Sequence, residues 1–155
     1  MITKLILMVG LPRSGKSTIA KQLSEKTGYP IVNPDAVRLA VYGHRFWGPG
    51  ERQVWATVYT MINALFNAGH SSIILDATNL NKEKRTDWLK VADRLEYVVV
   101  DTDVTTCHQR AMDDNMPDLV GVITSMNANW DPLVAGEEAN NITHYVENLL
   151  YPKEI

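Results

Sequence analysis

Four short apolar runs punctuate the first two thirds of the chain: "KLILMVG" (residues 4–10), "PIVN" (30–33), "SIILDA" (72–77) and "EYVVVDT" (96–102). Short apolar runs bounded by polar and turn-forming residues read as buried strands. The segments between them carry helical signals. Residues 16–27 stop at Gly28, residues 34–42 open on Pro34, which suits a first helical turn, and residues 51–68 stop at Gly69. Residues 81–94 open on Asn81, a good N-cap. Strand alternating with helix predicts an α/β fold of three layers, with a mostly parallel central sheet covered by helices on both faces. No repeat, low-complexity tract or linker interrupts the pattern, and a chain of 155 residues is expected to form one domain over residues 1–155.

In such sheets ligands bind beyond the carboxyl ends of the strands. That rule gathers residues 10–18, 33–38, 76–79 and 101–103 at one edge. The first of these, "GLPRSGKST", fits the phosphate-loop spacing of glycine, four residues, glycine, lysine and serine, and lies between a predicted strand and a predicted helix. The expected cofactor-binding stretch is Gly10, Pro12, Arg13, Ser14, Gly15, Lys16, Ser17 and Thr18. Glycines let the backbone curl so that several N–H groups face one anion, and the helix that follows adds its positive end. Lys16 would reach the β- and γ-phosphates of ATP, Ser17 would ligand Mg2+, and Thr18 would bond a neighbouring phosphate. The loop predicts a nucleoside triphosphate as ligand. It leaves open whether the nucleotide is hydrolysed, sensed or used as a phosphate donor.

Two further stretches bear on that choice. In "NPDAVR", Asp35 and Arg38 are three residues apart and share a helix face. An aspartate there can accept a proton from an attacking hydroxyl, and an arginine beside it can hold an anionic acceptor. The alternative is a helix-capping acid with a surface ion pair. In "ILDATNLNKEKR", Asp76 is placed to assist the magnesium shell through water, and Thr78 and Asn79 offer short polar groups to the cleft or cap the loop. Arg85 faces either the acceptor or solvent.

The order phosphate loop, strand–Asp–x–x–Arg, then Asp–x–Thr–Asn–Leu–Asn before a basic helix resembles the polynucleotide 5′-hydroxyl kinase family. It is similar more widely to the zeta-toxin-like and small-molecule P-loop kinases. The resemblance runs from about Lys4 to Arg110. It implies a P-loop NTPase fold, ATP and Mg2+ at Lys16 and Ser17, Asp35 as general base, Arg38 on the acceptor's phosphate and Thr78 in the acceptor pocket. Such kinases carry a lid with two or more basic residues after the fourth strand. Here Arg110 matches the first of them, while "AMDDN" stands where the second would be. Arg110 is therefore the candidate for the transition-state charge, with Lys16, Mg2+ and Arg13 as the alternative source.

The stretch "YGHRFWGPGERQVW" reads as a loop over the acceptor side. Phe46 and Trp47 either stack on a nucleic-acid base, with His44 and Arg45 near its phosphates, or pin the loop to the core. Trp55, Tyr59, Trp88 and Trp130 default to packing. His70, His108 and His144 lack metal-ligand spacing.

Composition narrows the partners. A net charge of −3 argues against coating nucleic acid by charge alone. After Arg110 the only Lys or Arg is Lys153, while Asp113, Asp114, Asp118, Asp131, Glu137, Glu138, Glu147 and Glu154 recur, so a phosphate-binding surface is expected in the first 110 residues. One cysteine, Cys107, excludes a disulfide framework and fits a reducing, cytoplasmic setting. No apolar run approaches the ~20 residues of a membrane span, and the short run in "MITKLILMVG" leads into the phosphate loop rather than a cleavage site. The expectation is an ATP-dependent kinase whose preferred acceptor is the 5′-hydroxyl of a DNA or RNA end. A hydroxymethylated DNA base, a nucleoside or a sugar is the rival acceptor, and a nucleotide-binding regulator is the rival class.

Overall fold

The computed structural model describes residues 1–133, 137 and 141–145, the last group as backbone. Its strands are β1 (Lys4–Val9), β2 (Ile31–Val32), β3 (Ser72–Leu75), β4 (Arg94–Val100) and β5 (Asn141–Tyr145). They form an all-parallel sheet in the order β2-β3-β1-β4-β5. The helices are α1 (Lys16–Thr27), α2 (Pro34–Tyr42), α3 (Glu51–Asn67), α4 (Lys82–Asp87), α5 (Val104–Asp113) and α6 (Leu119–Ala128), with 3-10 turns at Gly48–Gly50 and Trp88–Lys90.

The central strand shows why both faces must be covered. Alternate residues of a strand point to opposite faces, and in β1 both sets are apolar. Leu5, Leu7 and Val9 join a cluster with Val54, Val58, Ile62 and Phe66 of α3 and with Cys107, Ala111 and Ile123 of α5 and α6. Ile6 and Met8 join Ile19 and Ala20 of α1 on the other face. The α3 residues recur every four positions, so one stripe of that helix faces the sheet. The caps follow the sequence: the Asn33 side chain accepts from the Asp35 N–H (2.8 Å) ahead of Pro34, and Asn81 accepts from the Lys84 N–H (2.9 Å).

Two elements differ from expectation. The helix predicted over 81–94 ends at Asp87, tightens to a 3-10 turn, and gives way to β4 at Arg94. Thr3 and Asp93 explain the change. The Asp93 carboxylate accepts from the Thr3 N–H (2.8 Å) and Thr3 Oγ1 (3.1 Å), while the Asp93 N–H donates to Thr3 Oγ1 (3.0 Å). This reciprocal set draws the chain beside β1 and sets the Lys4↔Arg94 register. The second difference is β5, an edge strand with no apolar run to announce it. The predicted strands end within a residue or two of the observed ones, and their carboxyl ends bring residues 10–18, 33–38 and 76–79 to one edge.

Candidate functional site

The phosphate loop connects β1 to α1. Gly10 has no room for a side chain: a Cβ there would stand 2.8 Å from the Val100 carbonyl and 3.0 Å from Ser14 Oγ. Gly15 has φ of 102°, in the left-handed region that glycine adopts without strain. These constraints give the loop its curl. Ser14 is fully buried with no hydrogen-bond partner for its hydroxyl, while its carbonyl accepts from Thr102 Oγ1 (2.7 Å). Lys16 folds back, Nζ donating to the Leu11 carbonyl (2.6 Å). Its burial pushes the ammonium down from its ordinary 10.5 to about 8, against the attraction of Asp76.

Ser17 Oγ donates to Asp76 Oδ2 (2.7 Å), so the hydroxyl and the strand-end acid expected around a magnesium ion share one hydrogen bond. Asn33 Nδ2 approaches the same oxygen (3.3 Å). Burial raises Asp76 above the usual carboxylate range, and the Ser17 hydrogen bond and Lys16 oppose this. A carboxylate and a hydroxyl as hard oxygen donors fit Mg2+. A curled loop with an orphaned hydroxyl, a cradle that no Cβ could enter and a buried lysine folded back on it fits a phosphate chain. Ser17 and Thr18 are exposed at the mouth, as is Arg13, while Pro12 is half-buried.

Asp35 and Arg38 do pair, Arg38 Nη1 donating to Asp35 Oδ1 (2.6 Å). Sequence reasoning missed the third member, Glu51. Arg38 Nε and Nη2 donate to its two oxygens (2.8 and 2.6 Å), a forked pair that fixes the guanidinium and leaves the Asp35 side chain 58% exposed. Hydrogen bonding to Glu51 raises Arg38 further above its ordinary value, and the same pair lowers Glu51. Asn33 links the two sides of this edge, its Oδ1 accepting from the Asp35 N–H (2.8 Å) and its Nδ2 donating to Asp76 Oδ2 (3.3 Å). No spacing rule joins residue 38 to 51. The only sequence signal was that α2 and α3 flank a short loop.

Thr78 and Asn79 differ in placement. Thr78 is half-buried at the site, its carbonyl accepting from the Gly10 N–H (3.0 Å). Asn79 has φ of 48° and commits its amide to the Met8 carbonyl (2.7 Å) and the Ala77 carbonyl (3.3 Å), so it ties β3's end to β1's end rather than offering that group to the cleft. Arg85 corrects the expectation outright, because it faces neither acceptor nor solvent. It is 0% exposed, paired through Nε (3.1 Å) and Nη2 (2.8 Å) with Glu137, itself buried, and it donates to the Asn79 carbonyl (3.1 Å). Breaking a buried pair from one side costs about 3–5 kcal/mol, whereas replacing both partners by apolar groups is far milder. Arg85→Met should therefore destabilise the protein strongly in urea melts, and Arg85→Met with Glu137→Leu should recover much of the loss. Equal stability of the single variant and wild type would refute the pairing.

Arg110 lies on α5, which runs unbroken through it, and α6 follows after a short connection. The α5–α6 pair packs on the core through Cys107, Ala111 and Ile123, so among the described residues this segment is part of the body. Arg110 Nη1 reaches the Arg13 carbonyl of the phosphate loop (3.3 Å). Asp114 pairs with Arg13, and Asp113 accepts from Gln109 (2.8 Å). Phe46 and Trp47 are not core residues: they are 68% and 47% exposed. Trp88 is core, stacked on Tyr59 at 4.5 Å. Glu138, Glu147, Lys153 and Glu154 lie outside the described residues. Among the described residues no helix is long and apolar enough to cross a membrane.

Solved structures share this architecture. A candidate kinase from Chloroflexus aurantiacus superposes with a TM-score of 0.70 at 16% identity, over 100% of this chain and 92% of that one. A sugar kinase from Janibacter sp. HTCC2649 gives 0.67 at 20%, over 99% and 90%. A chain of the Pnkp1/Rnl/Hen1 complex gives 0.63 at 28%, over 70% of this chain and 39% of that one. No curated protein matches the chain. Residues 5–113, from the first strand through α5, match the AAA domain family. With a phosphate loop between β1 and α1, an all-parallel sheet and kinases among its structural neighbours, the chain belongs to the AAA domain family and has a P-loop kinase-like fold.

Proposed function

We propose that the protein transfers the γ-phosphate of ATP to an acceptor hydroxyl, and that the acceptor is the 5′-hydroxyl of a DNA or RNA end. The observation that carries the reading is the Asp35–Arg38–Glu51 cluster, set at the same sheet edge as Lys16, Ser17 and Asp76 with Asp35 left open to an incoming group. A nucleotide sensor has no use for that cluster. Bound Mg·ATP would supply the phosphoryl group and neutralise its charge. Asp35 takes the acceptor's proton, Arg38 orients the acceptor through an N–H that Asp35 and Glu51 leave over, and Thr78 lines the acceptor pocket. Lys16 and the loop N–H groups hold the phosphates, and Ser17 with Asp76 holds the metal. The likeness to a chain of the Pnkp1/Rnl/Hen1 complex, the highest in identity of the three structures compared, supports a nucleic-acid end, since a second structure of that complex is described as an RNA repair complex. A cytoplasmic setting suits this chemistry.

A second reading keeps the chemistry and substitutes a sugar, nucleoside or hydroxymethylated base. The near-complete mutual coverage with the sugar kinase favours it. A γ-labelled ATP screen against 5′-hydroxyl oligonucleotides, modified-base DNA, nucleosides and sugars decides between them. Label on an oligonucleotide end supports the first reading, and label only on small molecules or base substituents overturns it.

Arg110 supplies a transition-state charge from α5. Loss of one such donor costs on the order of 10²-fold in turnover. Single-turnover transfer at saturating ATP should therefore fall by that amount in Arg110→Ala while ATP affinity changes little. A loss confined to ATP affinity would make it a nucleotide-binding residue instead.

A further inference from the structure

Beside the proposed acceptor pocket stands a feature that phosphate transfer does not use. After α2 the chain turns through residues 44–47 and leaves Phe46 largely, and Trp47 about half, in solvent, with Leu39 and Val41 of α2 exposed as well. Burial of large apolar side chains is the main drive of folding, so two adjacent exposed aromatics in so short a loop call for an explanation. They are also held in place. Trp47 packs on Tyr42 (centroids 5.0 Å apart, planes at 58°), and both close over Gly50, where a Cβ would stand 2.5 Å from Tyr42 Cε2 and 2.9 Å from Trp47 Cε3. Tyr42 donates its hydroxyl to Gln53 on α3. Phe46 lies with its ring centroid 6.0 Å from Arg38 Cζ. A row therefore runs from an exposed ring to the Arg38 guanidinium to the Asp35 carboxylate.

The stretch of chain that follows Asp35 carries an excess of cations. Between Asp35 and Asp76 the chain carries Arg38, Arg45 and Arg52 against the single acid Glu51, in a protein of net charge −3. Arg38 neutralises Glu51. His44 and Arg52 are exposed and Arg45 is half-buried. Flat apolar faces interleaved with cations match a ligand that alternates π-faces with phosphates. That is the pattern by which single strands are gripped without sequence preference.

We propose that Phe46 and Trp47 form a stacking platform for a base of a single-stranded nucleic acid whose 5′ end reaches Asp35, with Arg45 and Arg52 drawing in its phosphates. The proposal rests on the acceptor reading above and extends it from one hydroxyl to a strand. A sugar has no base to lay on the platform, whereas a nucleic-acid strand has one at every residue.

The test measures binding without catalysis. Fluorescence anisotropy with a 3′-labelled, 5′-hydroxyl oligothymidylate compares wild type with Phe46→Ala and Phe46→Tyr. The same titration is repeated with an oligonucleotide of equal length made of abasic sites. Base–aromatic contacts by alanine substitution correspond to roughly 5- to 150-fold in affinity. Phe46→Ala should weaken oligothymidylate binding by about 10-fold or more, Phe46→Tyr should restore it, and the abasic strand should bind weakly and indifferently to the substitution. Unchanged affinity in Phe46→Ala, equal losses on the abasic strand, or a concentration-dependent dimer that Phe46→Ala abolishes would each overturn the platform. The transfer screen answers separately. Transfer to oligonucleotides without dependence on Phe46 leaves the acceptor reading intact and removes the platform. Phe46-dependent binding without transfer does the reverse.

Discussion

Lys16→Met is expected to abolish phosphate transfer and, in the nucleotide-free protein, to raise stability. The first effect follows from removing the charge that would face the β- and γ-phosphates. The second follows from burial: Lys16 is 8% exposed and its ammonium is held at about 8 rather than 10.5. The fold therefore binds this proton less well than the unfolded chain does. The resulting penalty is fully present below about pH 8, shrinks as pH rises, and is gone above 10.5. Its size is on the order of 3 kcal/mol at most. Methionine keeps the length without the charge, and the Leu11 carbonyl still accepts from the Ser14 N–H (3.2 Å). Thermal melts from pH 6 to pH 10.5 should show the variant several degrees above wild type at low pH, with the gap closing as pH rises. A variant less stable than wild type throughout would contradict the buried-charge account.

Asp35→Asn is expected to lower turnover by on the order of 10²- to 10⁴-fold with little change in ATP affinity. The amide can keep the contact geometry with Arg38, because its oxygen still accepts from Nη1, and Glu51 continues to fix the guanidinium from the other side. The acceptor therefore still binds and its proton has nowhere to go. Single-turnover transfer with nucleotide affinity measured in parallel separates the two quantities. An unchanged chemical step would remove Asp35 as the base and leave it a helix-capping acid.

What the chain disclosed in advance was local. The phosphate loop could be read because Gly10, Gly15, Lys16 and Ser17 lie within one turn of backbone, and β1, β3 and β4 because fully buried parallel strands are continuously apolar. Ser17 and Asp76, 59 residues apart, are the one long-range exception: sequence reasoning set both beside a magnesium ion, though not in a direct hydrogen bond. The rule that strand ends converge placed both groups at one edge. What stayed hidden were ion pairs with no such rule behind them. Arg38 meets Glu51 across 13 residues and Arg85 meets Glu137 across 52, and each arginine presented the same face to sequence reasoning as a solvated or ligand-binding one. The Trp88 turn was obscured because a helical composition continues through it, and only the Thr3–Asp93 bonds decide where the strand begins. Edge strand β5 is mixed in polarity, so no apolar run marks it, although Ile142, Thr143 and Tyr145 favour a strand.

The buried Arg85–Glu137 pair has a bearing on synthesis. Arg85 holds the Asn79 carbonyl, Asn79 holds the Met8 carbonyl at the end of β1, and the neighbouring Thr78 carbonyl receives the N–H of Gly10. Asp131 is stitched to Leu80 and Lys82 beside them. During synthesis the phosphate loop is made before Glu137, so the guanidinium that braces the loop's neighbour lacks its counter-charge until residue 137 has left the ribosome. Maturation of the loop's surroundings thus waits on a segment made later, and an interrupted polypeptide that ends before Glu137 carries an unneutralised cation at a buried seam.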